Sequence, residues 1–72
     1  MNWSLMATRA LELLEEEHNL TAEDVASLKG KIEYWASALG AGKKVTKEFK
    51  QGTVKVDVTA KADAVEKIEI KK

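Results

Sequence analysis

The stretch that decides the fold is LTAEDVASLKGKIEYWASAL, which runs from Leu20 to Leu39. Thr21 is a good N-cap, and Asp24 three residues later completes a variant of the capping box. Five apolar residues then recur at steps of three and four, as on one face of a helix: Val25, Leu28, Ile32, Trp35 and Leu39. This pattern predicts a helix over residues 22–39, with Gly40 as the left-handed residue that ends it.

Gly30 lies in the middle of this segment and raises an alternative. A turn there would give two helices of the kind that form a helix-turn-helix and read DNA. However, the apolar stripe stays in phase across the glycine, and Lys29 and Lys31 stand where such a turn carries apolar residues. One continuous helix is therefore predicted. Its outward side carries small residues beside a tyrosine, which either admit a partner closely or are simply tolerated: Ala26, Gly30, Tyr34 and Ser37.

A first helix is predicted over residues 3–17, with Asn2 or Ser4 as its cap and His18–Asn19 as the turn that follows it. Its apolar side is defined by residues at helical spacing: Trp3, Met6, Ala7, Ala10, Leu11, Leu14 and His18.

After Gly42 the apolar period changes from 3.6 to 2, which is typical of strands. Residues 43–50 and 53–61 alternate in this way around Gln51–Gly52. A two-residue loop at Gln51–Gly52 would place Lys50 opposite Thr53 and make the two segments a hairpin. The cross-strand pairs of that register are Phe49 with Val54, Lys47 with Val56, and Val45 with Val58.

Residues 65–71 are predicted to form a third strand, with Ile68 and Ile70 facing inward. Val65 is out of phase with the two isoleucines. Asp63 could instead cap a short C-terminal helix, but β-branched residues that alternate with charges favour a strand.

The predicted architecture is a single α+β domain over residues 1–72. Two N-terminal helices pack on one face of a three-stranded antiparallel β-meander, in the order α-α-β-β-β. The predicted core consists of the inward apolar side chains: Trp3, Met6, Ala10, Leu14, Val25, Leu28, Ile32, Trp35, Leu39, Val45, Phe49, Val54, Val56, Val58, Ile68 and Ile70.

No catalytic or cofactor site is predicted, and we expect a protein that is not an enzyme. The chain has no cysteine, so thiol catalysis and Cys-based zinc sites are excluded. Glu15 and His18 could share a helix face, but two ligands do not make a metal site. No apolar run is long enough for a membrane span, and the N-terminus lacks a secretory signal pattern. We therefore expect a soluble, cytoplasm-compatible protein.

The charge is unevenly distributed, and this bears on partners. Residues 1–42 carry three basic and seven acidic side chains, whereas residues 43–72 carry nine basic and five acidic. Sheets that bind single-stranded nucleic acid usually stack bases on outward aromatics, which this sheet lacks, so specific nucleic-acid binding is not expected. Both predicted edge strands are rich in lysine, which favours a monomer. A homodimer through the outward side of the second helix is the alternative.

Two resemblances bear on origin. The segment GKKVTKEFKQGTVKVDVTAKAD, residues 42–63, resembles the hairpin of the phage head–tail joining protein W family. That likeness would imply a structural role in virion assembly, although this chain has two helices before the hairpin. The whole chain resembles computationally designed α/β mini-proteins, since it lacks proline and cysteine and its caps and periodicities agree.

These observations predict a non-enzymatic small α+β domain of designed or engineered type. A natural interaction or assembly module is the first alternative, and a weak nucleic-acid binder is the second.

Overall fold

The computed structural model describes residues 2–40 and 42–71. Two helices, α1 (Leu5–His18) and α2 (Ala22–Ser37), pack on one face of a four-stranded sheet. The strands are β1 (Asn2–Trp3), β2 (Val45–Gln51), β3 (Val54–Lys61) and β4 (Ala64–Lys71), in the spatial order β1-β4-β3-β2. The α+β class is confirmed, as is the antiparallel meander of β2, β3 and β4. The predicted three-stranded sheet was wrong in one respect, because β1 adds a fourth strand parallel to β4.

Strand β1 explains why α1 begins later than predicted. Asn2 pairs with Ala64 and Trp3 with Val65. The amide of Ser4 then donates to the carbonyl of Val65 at 3.0 Å. The backbone from Asn2 to Ser4 is therefore extended, and Ser4 takes the N-cap position of α1, where its hydroxyl accepts from the amide of Ala7.

Strand β4 contains a bulge that accounts for the phase of Val65. Ala60 pairs with Val65, whereas Thr59 pairs with Lys67, so Glu66 is the extra residue. One extra residue reverses the alternation of side chains along a strand. As a result Val65 and Ile68 both face the core and are buried.

The hairpin of β2 and β3 has the predicted faces but a different register. Gln51 pairs with Val54, so the loop is Gly52–Thr53 instead of Gln51–Gly52. Gly52 has a φ of 61°, which suits glycine at the first central position of a type II′ turn. Phe49 therefore lies opposite Val56, two residues from the predicted partner, and a shift of two keeps each side chain on its face.

Helix α2 is continuous through Gly30, as the apolar stripe predicted. Its end differs from the prediction, because it stops at Ser37 and Gly40 does not have a positive φ. The amides of Ala38 and Leu39 bond to carbonyls three residues back, at 3.1 and 3.2 Å. This tightened last turn satisfies the carbonyls of Trp35 and Ala36 without a left-handed glycine.

The core lies between the two helices and the sheet. Its buried residues are Ala7, Ala10, Leu11, Leu14, Leu28, Ile32, Ala36, Val54, Val56, Val58, Ala60, Val65 and Ile68. The other predicted core residues except two are partly buried against it: Trp3, Val25, Trp35, Leu39, Phe49 and Ile70.

The two exceptions are Met6 and Val45, which are 67% and 39% exposed. Met6 lies in the first turn of α1, on the flank of the buried stripe formed by Ala7, Ala10 and Leu14. Val45 begins the edge strand β2, where the helices leave it uncovered.

Candidate functional site

The outward side of α2 is exposed. Ala26, Gly30, Tyr34 and Ser37 are all exposed, and Tyr34 is 83% exposed. The hydroxyl of Ser37 donates to the carbonyl of Tyr34 at 2.9 Å, which is a local helix contact. The four predicted residues thus share one face, but none of them lines the groove between α1 and β4 or the smaller one between α1 and α2.

The residues considered for metal binding do not form a cluster. His18 is the last residue of α1 and is half-buried. Within residues 2–40 and 42–71 there is no group of three histidine, cysteine or acidic side chains that could hold a metal ion.

The open face of the sheet carries charge in rows that cross the strands. Glu48 lies opposite Asp57, which lies opposite Glu69. The next row is formed by Lys50, Lys55 and Lys71. Like charges directly opposite each other are destabilising, and diagonal contacts offset this, as in the 2.8 Å ion pair of Lys71 with Asp57. This ion pair also raises the pKa of Lys71 above its ordinary value.

An apolar groove of about 560 Å³ lies between the first half of α1 and the second half of β4. Leu5 and Met6 form its rim and are 89% and 67% exposed. Adjacent exposed apolar side chains of this size are informative on a surface that is otherwise rich in charge. The lining residues are Leu5, Met6, Arg9, Ala10, Leu13, Ile68, Glu69 and Ile70.

The groove borders a free edge of the sheet. Strand β1 covers β4 only at Ala64 and Val65, because the chain leaves the edge at Ser4 to begin α1. Among the described strands none pairs with the outer side of Lys67–Lys71. The groove therefore combines apolar side chains with backbone groups that can accept a further strand.

The groove is fixed in place by the N-cap of α1. The hydroxyl of Ser4 donates to the carbonyl of Glu66, the bulged residue of β4. The carboxylate of Glu66 forms a 3.0 Å ion pair with Lys44. On the α1 side of the groove, Arg9 contacts Glu12 and Glu16 at 2.8 and 3.0 Å, which raises its pKa and keeps its charge on the helix surface.

Sequence reasoning missed this groove because Met6 was assigned to the core. The available signal was the width of the apolar side of α1. Leu5, Met6 and Leu13 extend that side beyond the stripe that Ala7, Leu11 and Leu14 bury. A stripe wider than one sheet can cover predicts an exposed apolar flank.

Comparisons with known proteins found no matching protein-family model, no matching curated protein and no matching solved structure. In the described part of the chain, no helix is long and apolar enough to cross a membrane.

Proposed function

We propose that this chain is a non-enzymatic α+β domain that binds another protein through the groove between α1 and β4. The observation that carries the proposal is the exposure of Leu5 and Met6 beside an apolar groove. When a partner covers apolar area that the fold leaves exposed, the free energy falls by about 25 cal/mol per Å². No residue of the outward side of α2 lines this groove.

The test is a selection of binding peptides from a displayed library, followed by affinity measurements on variants. Leu5→Lys together with Met6→Lys should abolish binding of the selected peptides, since both changes place charge on the rim of the groove. Tyr34→Lys is the matched control, because it replaces an equally exposed apolar side chain on α2. Peptides that bind the double variant normally and lose affinity for Tyr34→Lys would contradict the proposal and favour the α2 surface.

The second candidate is a designed or engineered domain that has a stable fold and no binding function. It is supported by the agreement between local signals and tertiary structure, which design practice seeks. The capping box of α2 is complete, and the buried side-chain polar atoms in the described ranges all have partners. On this hypothesis the selection yields no peptide whose binding depends on Leu5 and Met6.

We also propose that the free chain is a monomer without a cofactor. Lysines line both sheet edges, with Lys47 and Lys50 on β2 and Lys67 and Lys71 on β4. Sedimentation at several concentrations should show a constant mass near 8.0 kDa. A dimer that Gly30→Glu dissociates would place the interface on α2 instead.

A further inference from the structure

We propose that the free edge of β4 accepts an extended segment with the pattern acidic–apolar–lysine–apolar–acidic, supplied by a different protein. This inference rests on the proposed function and specifies its partner. It follows from three features of Lys67–Lys71: its backbone, its inward side chains and its outward charges.

The backbone of Lys67–Lys71 occupies an edge position with an empty neighbour. Strand β1 fills the neighbouring position only next to Ala64 and Val65. A segment that continued along this edge would lie about 4.8 Å from β4 and form main-chain hydrogen bonds to it. Five residues of β4 are available for this pairing.

The inward side chains define the apolar positions of the segment. Ile68 and Ile70 face the helices and line the groove, while Leu5 and Met6 form the rim on α1. Residues of an added strand that lie opposite Ile68 and Ile70 would point to the same face, because paired residues share a face. Two apolar residues at alternate positions would therefore fill the groove.

The outward side chains define the charged positions. Glu69 ends a row of three acidic residues with Asp57 and Glu48, so a lysine opposite Glu69 would relieve repulsion between like charges. Lys71 ends the neighbouring row of lysines, which also contains Lys55 and Lys50. An acidic residue opposite Lys71 would relieve the repulsion between these lysines.

Lys67 lies beside Thr59, and its ammonium is 3.7 Å from the carboxylate of Glu69. It forms no other ion pair among the described residues. The second acidic residue of the segment would therefore lie opposite Lys67.

A second copy of this chain does not fit the same position when all five residues overlap. The order Lys-Ile-Glu-Ile-Lys in residues 67–71 reads identically in both directions. Antiparallel pairing of two copies in full overlap therefore places Lys67 opposite Lys71 and Glu69 opposite Glu69. All three outward pairs are then repulsive, whereas the complementary segment makes all three attractive in either strand direction.

The experiment uses the full chain and two synthetic peptides of identical composition. One contains Glu-Val-Lys-Val-Glu and the other contains Lys-Val-Glu-Val-Glu, each flanked by Gly-Ser. Titration followed by NMR should show binding of the first peptide, with shift changes at residues 5–6 and 67–71. The second peptide places like charges at two of the three outward positions, so it should bind about tenfold more weakly.

A reversed variant gives the matched control. Lys67→Glu, Glu69→Lys and Lys71→Glu together invert the outward pattern and leave Ile68 and Ile70 unchanged. This variant should prefer Lys-Val-Glu-Val-Lys over Glu-Val-Lys-Val-Glu. If the peptide preference of this variant did not reverse, charge at the edge of β4 would not determine which segment binds.

The other outcomes also decide the inference. Equal affinity for the two peptides, or no binding of either, overturns it, and so does a concentration-dependent dimer that pairs through β4. The proposed function survives these results if selected peptides of another pattern still require Leu5 and Met6. It fails with the inference only if no ligand depends on those two residues.

Discussion

The two helices of this protein begin in different ways. The N-cap of α2 uses residues of its own first turn: the amide of Asp24 donates to the hydroxyl of Thr21, and the amide of Thr21 donates to the carboxylate of Asp24. The N-cap of α1 uses Ser4, whose hydroxyl accepts from Ala7 and also donates to Glu66, 62 residues away. The hydroxyl of Thr21 bonds only within its own helix, whereas the hydroxyl of Ser4 also connects its helix to the sheet, so the loss of the two hydroxyls should have unequal consequences.

The largest effect is expected for Ser4→Ala. Loss of the N-cap costs about 1 kcal/mol, and the carbonyl of Glu66 loses its partner at a further cost of about 1 kcal/mol. The free energy of unfolding should therefore fall by about 2 kcal/mol in denaturant titrations. Ser4→Thr is the control, because it keeps the hydroxyl and should recover most of the loss. Equal stability of Ser4→Ala and the parent would show that the bond to Glu66 contributes nothing.

Thr21→Ala should have a smaller effect, since only the local cap is lost. We expect a decrease of about 1 kcal/mol, and amide exchange should rise in the first turn of α2 without a change in β4. A loss as large as that of Ser4→Ala would remove the distinction between the two caps.

Gly30→Ala tests whether the glycine in the middle of α2 only lowers the stability of the helix. A Cβ at this position meets nothing within 4 Å, so the substitution removes only the cost of glycine in a helix. Stability should rise by up to about 1 kcal/mol, measured by thermal and denaturant unfolding. Reduced stability would mean that the surface around Gly30 is not free.

The smallest effect concerns pH. The hydrogen bonds that Asp24 accepts from Gln51 and from Thr21 lower its pKa below the ordinary value of 3.8. A carboxyl with a lowered pKa stabilises the fold above its unfolded pKa, and this contribution is lost as the pH falls through the folded pKa. Unfolding titrations between pH 5 and pH 2 should show this loss below about pH 3.8.

Asp24→Asn is the control for that profile, because its side chain does not titrate. The variant should have a flatter stability profile in the same pH range. An unchanged slope would assign the acid sensitivity to other carboxyl groups.

The same contrast explains how much of the fold the sequence predicted. Thr21 and Asp24 are three residues apart, so a local pattern identified the cap of α2. Strand β1 has two residues and therefore no periodicity, and its partner Ala64–Val65 is distant in sequence. The bulge at Glu66 was signalled by the phase of Val65, but only its pairing with Ala60 shows which residue is extra.

The candidate site was predicted less well than the fold, for a physical reason. Hydrophobicity identified Met6 as apolar but did not distinguish the side of α1 that the sheet covers from the flank that it leaves open. That distinction depends on where α1 crosses β4, which the bond between Ser4 and Glu66 fixes. Exposed apolar residues beside a sheet edge are thus a tertiary property.

The pairing of β1 with β4 has a consequence for the order of folding. The β2–β3 and β3–β4 hairpins close over two-residue loops, and such hairpins form in about 1–10 μs. Contact between Ser4 and Glu66 closes a loop of 62 residues, which costs about 1.5 kcal/mol more chain entropy than a ten-residue loop. Because β1 pairs with β4 and with no other described strand, its docking completes the sheet only after the meander exists.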